Sequence, residues 1–301
     1  MKYISSEGIG ESGSFAGYHP GVNFIYFVFA IGITMFSLDP AFLAVTLVEA
    51  WTWSFILSGK KGLKFNLMMT VPVLIIMSVV NTLFTHNGKT VLFYLFGTKV
   101  TMEAFFYGLA GAAMLSAVIV WFSCFNVVMS ADKFIYLFGK AAPVLALTLS
   151  MIFRFIPLLK RRFREISMGQ RCMGRHNGGN ITEKIRQAGK EISILISWSL
   201  EASIETSDSM EARGYGLRGR TSFHLFRFTK RDGRLLAFIL FMGIMAAAGI
   251  ILGEETKYYP VIEISTWGPV KMATLLCYCI LLFTPIVVDV MGEKNGNYRN
   301  P

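Results

Sequence analysis

The chain has 301 residues, 53% of them hydrophobic, 14% aromatic and only 16% charged, against about 25% charged in an average soluble domain. That balance excludes disorder and leaves too little polar surface to wrap a single soluble core of this size. Yet 29 Lys+Arg stand against 19 Asp+Glu, a net charge of +10, so the few charges present are strongly biased to one sign.

Residues 1–21 are polar and rich in Gly and Ser, with Ser5, Glu7, Glu11, Ser12 and Ser14 ahead of any apolar run. That is the wrong order for a cleaved signal peptide, so they are read as a cytoplasmic tail. Crossing about 30 Å of hydrocarbon needs roughly 17 to 25 apolar residues. Six runs qualify, at 22–38, 41–57, 65–84, 104–128, 235–252 and 270–290. Short loops facing the cytoplasm collect Lys and Arg. Lys60, Lys61 and Lys64 therefore place the loop after the second run inside, whereas Glu254, Glu255, Lys257 and Glu263 place the loop before the last run outside. Both assignments put the N-terminus and the C-terminal tail, 291–301, in the cytoplasm. A seventh apolar stretch, 134–153, carries Lys140 and Pro143 and is followed by Arg154, Lys160, Arg161, Arg162 and Arg164. Charge argues that it lies along or dips into the inner face as a broken helix; a tilted span with Lys140 snorkelling stays open. The expected fold is thus all-α, a polytopic membrane helix bundle of about six spans plus a re-entrant or interfacial helix, with a membrane domain at 22–153 and two final spans within 235–290.

Residues 154–234 are mostly polar and hold 17 Lys+Arg against 8 Asp+Glu, so +9 of the chain's +10 lies there. They are read as a cytoplasmic insert. On a helix at 100° per residue, Leu159, Phe163, Ile166 and Met173 share one face while Lys160, Arg164, Arg171 and Arg175 share another. This helix is expected to stop around Asn177-Gly178-Gly179-Asn180. A second runs from about Thr182 to Arg213, with Ser193, Ser197, Ser199, Ala202, Ser203 and Ser207 small enough for a close helix crossing and Gly214 or Gly216 as its cap. The plain reading of the basic helix is attraction to anionic lipid headgroups. The sharper one is a docking surface for an acidic cytosolic partner, where the planar fork of Arg takes two hydrogen bonds from a carboxylate or from helix-end carbonyls.

The run Ser209-Met210-Glu211-Ala212-Arg213-Gly214-Tyr215-Gly216 resembles the second Ala-Arg-Gly motif of the transmembrane T component of energy-coupling factor (ECF) transporters. Further similarity lies in the run from Asn81 to Tyr94 and in Ser150-Met151-Ile152-Phe153-Arg154-Phe155-Ile156-Pro157. The resemblance implies a non-catalytic scaffold without a cofactor in a bacterial or archaeal plasma membrane. Such a scaffold joins a membrane substrate-binding S component to two cytosolic ATPases, for uptake of a vitamin or other micronutrient, metal ions included. Its crossed coupling helices would dock the ATPases through Ala212, Arg213 and Gly214. In the first motif the aligned residues are Cys172-Met173-Gly174, with Met where the family has Arg; Arg171 and Arg175 flank it and either would supply a cation. The competing reading is a conventional ABC-importer permease that forms the translocation path itself.

Other signals carry less. Gly214, Gly216 and Gly219 form a GxGxxG string outside any βαβ context. Gly88-Lys89-Thr90 ends like a phosphate loop, but Leu83 replaces its first Gly. Cys277 and Cys279 lie about 200° apart on a helix, a poor chelate. The remaining cysteines (Cys124, Cys172) and the histidines (His19, His86, His176, His224) show no ligand spacing. Nothing points to nucleic acid. Glu49, inside the second span, is read as facing the bundle, either satisfied by a Thr, Asn or Trp N–H or kept protonated. Pro72, Asn66, Asn81 and the Met68, Met69, Met77 group are read as packing devices.

Overall fold

A computed structural model describes residues 13–85, 88–95, 98–139, 143–174, 181–215, 226–253, 256, 258–262 and 267–294. Among these are eight helices: α1 (Pro20–Phe36), α2 (Pro40–Phe84), α3 (Met102–Val128), α4 (Ala131–Gly139), α5 (Pro143–Cys172), α6 (Ile181–Ala212), α7 (Lys230–Leu252) and α8 (Pro269–Lys294). The all-α expectation holds, with one short addition. Val91–Leu95 (β1) and Thr98–Thr101 (β2) pair antiparallel between α2 and α3. Four helices, α2, α3, α7 and α8, are long and apolar enough to cross a membrane, and α1 is a shorter apolar helix of 17 residues.

The expected second and third spans both fall in α2. Its backbone breaks at Gly59, where φ is +57° and ψ −143°, a conformation open to a residue without Cβ. Beyond the break the chain doubles back: Ser54 Oγ donates to Asn66 Oδ1 at 3.3 Å, although twelve residues of straight helix would span about 18 Å. A Cβ on Gly62 would lie 2.8 Å from the Ser54 carbonyl oxygen, so the two halves touch backbone to backbone at the turn.

The chain divides into two compact units, one formed by Met1–Phe134 with Phe226–Pro301 and the other by Ile135–Leu225. The core of the first is aromatic. Phe15, Tyr26, Phe27, Trp53 and Trp121 are each about wholly buried. Phe27 stacks on Trp53 at 5.5 Å, and Trp53 meets Trp121 at 5.7 Å and Phe15 at 5.8 Å. In lipid no hydrophobic effect draws helices together, so cohesion comes from such dense contact and from interhelical hydrogen bonds. Tyr26 donates to Leu282 O at 3.1 Å, and the Tyr278 hydroxyl bonds those of Thr34 and Thr46 at 2.9 and 2.8 Å, tying α1, α2 and α8. Asn81 Nδ2 donates to Ala104 O at 2.8 Å, where a Cβ on Gly108 would press on Asn81 at 2.9 Å.

One end of this unit is closed by Asp39. Its carboxylate caps α2 through Ala41 N–H at 3.1 Å, takes the Thr256 hydroxyl at 2.9 Å and pairs with Lys271. Beside it, burial pushes the Tyr258 hydroxyl up to about 12, so it stays a donor, to Leu38 O at 2.7 Å. The acidic loop residues Glu254, Glu255, Lys257 and Glu263 lie outside the described residues.

In the second unit α5 and α6 pack along one seam. Trp198 is held between Phe155, stacked at 6.3 Å, and the Arg162 guanidinium, 4.9 Å above the ring. The residues of α5 drawn away from solvent (Met151, Phe155, Leu159, Ile166, Gln170) and those of α6 (Gln187, Glu191, Leu195, Trp198, Ala202) fall three, four or seven residues apart. This is the rhythm of one helix face. The small-residue stripe is split: Ser199 and Ala202 are half-buried, whereas Ser193, Ser197, Ser203 and Ser207 are exposed. The expected break near Lys140 falls partly outside the described residues, and α5 begins at Pro143. Composition changes at 153/154, but the helix does not.

Candidate functional site

The residues singled out for docking sit at two helix ends, and each end turns at a glycine with positive φ. In α6, Gly214 takes φ +77°, its N–H donates to Glu211 O at 2.8 Å and the Tyr215 N–H reaches back to Met210 O at 3.0 Å. This is the Schellman arrangement, in which a left-handed residue just past the helix lets two backbone N–H groups satisfy carbonyls of the last turn. In α5, Gly174 takes φ +72° and its N–H donates to Arg171 O at 3.0 Å, while Met173 N–H reaches Gly169 O at 3.2 Å. The first helix therefore stops at Cys172, earlier than the Asn/Gly run at 177–180 suggested. That run and Arg175 lie outside the described residues.

With the two glycine turns aligned, positions match. Ala212 and Cys172 are the last helical residues, Arg213 and Met173 follow them, and Gly214 and Gly174 turn the chain. Arg213, Arg171, Cys172 and Met173 are exposed, Met173 at 60%. The side chain that precedes each turn is exposed, at the helix end that carries the negative pole of the dipole. At one end that side chain is a five-donor cation, and at the other a soft thioether.

The basic face of α5 is likewise open. Arg154, Lys160, Arg161 and Arg164 are exposed, and among the described residues the one ion pair on α5 joins Arg162 to Glu165 at 2.7 Å. Charges without internal partners suit an external acidic surface.

The other signals resolve structurally. The Gly88-Lys89-Thr90 turn does cradle an anion, but the chain's own: Lys89 N–H and Thr90 N–H point to Glu103 Oε1 at 3.3 and 3.0 Å, and a Cβ on Gly88 would strike the same carboxylate. Of the GxGxxG string, Gly216 and Gly219 lie outside the described residues, as do His86, His176 and His224. All four cysteines are free, and no three His, Cys, Asp or Glu side chains gather among the described residues. Glu49 is 2% exposed and neither carboxylate oxygen has a hydrogen-bond partner, so no Thr, Asn or Trp group satisfies it. The alternative, a neutral acid, is the form such a site tolerates.

Sequence reasoning missed Asp289. It receives Phe15 N–H at 2.7 Å and Trp53 Nε1–H at 3.2 Å, a contact between residues 274 positions apart that local patterning does not register.

Against this geometry, the profile of the CbiQ family, described as cobalt transport protein, matches residues 16–225. The chain belongs to the CbiQ family. The similarity extends to proteins called energy-coupling factor transporter transmembrane protein EcfT. The one from Lactococcus lactis subsp. cremoris is 26% identical over 236 residues, 71% of this chain and 85% of the relative. Those from Lactobacillus helveticus and Listeria monocytogenes are 35% and 34% identical, over 34% and 36% of this chain. These two alignments span 38% and 40% of the relatives' own lengths. The CbiQ-family chain is thus a multi-pass membrane protein of transport, an ECF-type T component.

Proposed function

We propose that this CbiQ-family chain is the energy-transducing scaffold of an ECF-type importer. It docks two cytosolic ATPases through its helix ends and carries their motion to a membrane S component that selects a vitamin, another micronutrient or a metal ion. The family description names cobalt; the choice of cargo would reside in the S component. The two halves of α2 serve as separate crossings, which with α1, α3, α7 and α8 make six, and both termini and residues 154–234 face the cytoplasm, where the insert's +9 charge belongs.

The observation that carries this reading is the pair of left-handed glycine turns at Gly174 and Gly214, each preceded by an exposed side chain at its helix end. Arg213, with Ala212 and Gly214, is the main contact. Cys172, Met173 and Gly174 form the second, with Arg171 or Arg175 supplying its cation. Reversing a charge in a buried pair costs about 2–5 kcal/mol, so Arg213→Glu is expected to leave the protein in the membrane while ATPase copurification falls by roughly thirtyfold or more. Undiminished copurification and uptake would remove Arg213 from the docking role. A permease reading predicts a second copy of this chain in the purified complex, which native mass spectrometry detects.

A further inference from the structure

The chain leaves the first unit after Phe134 and returns to it at Phe226, and both passages are gripped by one short stretch, residues 13–19. On the outgoing side, Lys133 Nζ donates to Ala16 O at 2.7 Å and to Val128 O, at the end of α3, at 2.9 Å. On the returning side, Arg231 Nε donates to the Tyr18 hydroxyl at 2.6 Å and its guanidinium lies 4.2 Å over the same ring. The Asp232 carboxylate takes the His19 N–H at 3.2 Å while closing the first turn of α7 through Thr229 N–H at 2.8 Å and the Thr229 hydroxyl at 2.6 Å. Phe228 meets the His19 ring edge-on at 5.2 Å.

The stretch is stiff and anchored. Three successive turns, Ala16 N–H to Gly13 O at 3.1 Å, Gly17 to Ser14 at 3.3 Å and Tyr18 to Phe15 at 3.2 Å, wind it in the tight 3₁₀ manner. Phe15 is fully buried in the aromatic core, and its N–H is fixed on Asp289. Its two cationic grips are charge-assisted hydrogen bonds to partly buried oxygens, roughly twice as strong as neutral ones. Each grip sits at a helix end, the C-terminus of α3 and the N-terminus of α7, just before the chain leaves the first unit and just after it returns.

We propose that residues 13–19 are a strap within the first unit that ties the outgoing passage at Lys133 to the returning passage at Arg231, so that a displacement of one passage is felt at the other. Tyr18, Lys133 and Arg231 are its positioning residues. Coupling of this kind requires an element that both sites bias, and the strap is that element. Its consequence for transport rests on the scaffold reading above; its mechanical part does not.

The test uses the full chain in lipid nanodiscs, followed by amide hydrogen exchange, which reads local opening segment by segment. Lys133→Met is expected to raise exchange at least about threefold in 13–19 and, across the strap, in 226–232. Tyr18→Phe removes one hydroxyl and is expected to do so in 13–19 and in 128–134. Changes confined to the altered passage in these variants overturn the strap. Should Lys133→Met fail to accumulate, Tyr18→Phe carries the test alone. In the assembled transporter, variants with raised exchange should retain the ATPases but import less substrate per ATP hydrolysed; unchanged coupling removes the strap from transport. Arg213→Glu separates the two ideas, since it should lose the ATPases and keep the wild-type exchange pattern.

Discussion

Glu49 shows how a single residue separates electrostatic cost from structural need. Both of its oxygens lack donors within an almost closed site, and an unsatisfied buried polar group costs about 1–3 kcal/mol. Replacing it with an apolar residue of similar length removes that penalty. Glu49→Met is therefore expected to leave the detergent-solubilised protein's melting temperature unchanged or higher, whereas a fall of several degrees would mean that the carboxyl is bonded. Glu103 is the contrasting case: its carboxylate accepts two backbone N–H groups from the 88–90 turn, and the phosphate-loop look of Gly88-Lys89-Thr90 is explained by anion binding within the chain. With Leu83 in place of the first Gly, the sequence argues against a phosphate site here and says nothing of a carboxylate thirteen residues downstream.

At the scale of elements, α5 and α6 depend on one aromatic clamp. Truncating Trp198 removes the Phe155 stack and the Arg162 contact and should cost about 2 kcal/mol at this half-exposed site. Trp198→Ala is expected to speed proteolysis within 143–212 without altering exchange in the aromatic core of the first unit, and Trp198→Phe should recover most of the protection. Helices were legible here because apolar periodicity reports a face whatever packs on it. Ends were less so. The Asn177–Asn180 run outweighed a lone Gly174, yet Gly174 has the positive φ that stops α5. The β1–β2 hairpin escaped notice because the stretch was read only for its family likeness. The turn at Gly59 was seen as a basic loop, whereas the helix resumes almost at once. Segment 13–19 escaped because its partners, Lys133, Arg231 and Asp289, are far away in sequence, and burial of a tail of Gly and Ser leaves no periodic trace.

For the whole molecule, the opening tension between an apolar chain and a +10 charge separates by region, since 154–234 carries +9. Placing that region in the cytoplasm has a direct check in Cys172, which is free and exposed. A membrane-impermeant maleimide should label it in inverted vesicles and spare it in intact cells; labelling of intact cells would reverse the topology. The hydroxyls of α6 add a consequence of a different kind. Ser197, Ser199, Ser203 and Thr206 each donate to a carbonyl of their own helix, at 3.1, 2.8, 2.7 and 2.7 Å, among exposed Ile192, Ile196, Leu200 and Ile204. Each hydroxyl has already given its one proton to the helix, so its demand for water is reduced to its acceptor lone pairs. Such a surface can pass between wet and oily surroundings with these hydrogen bonds intact.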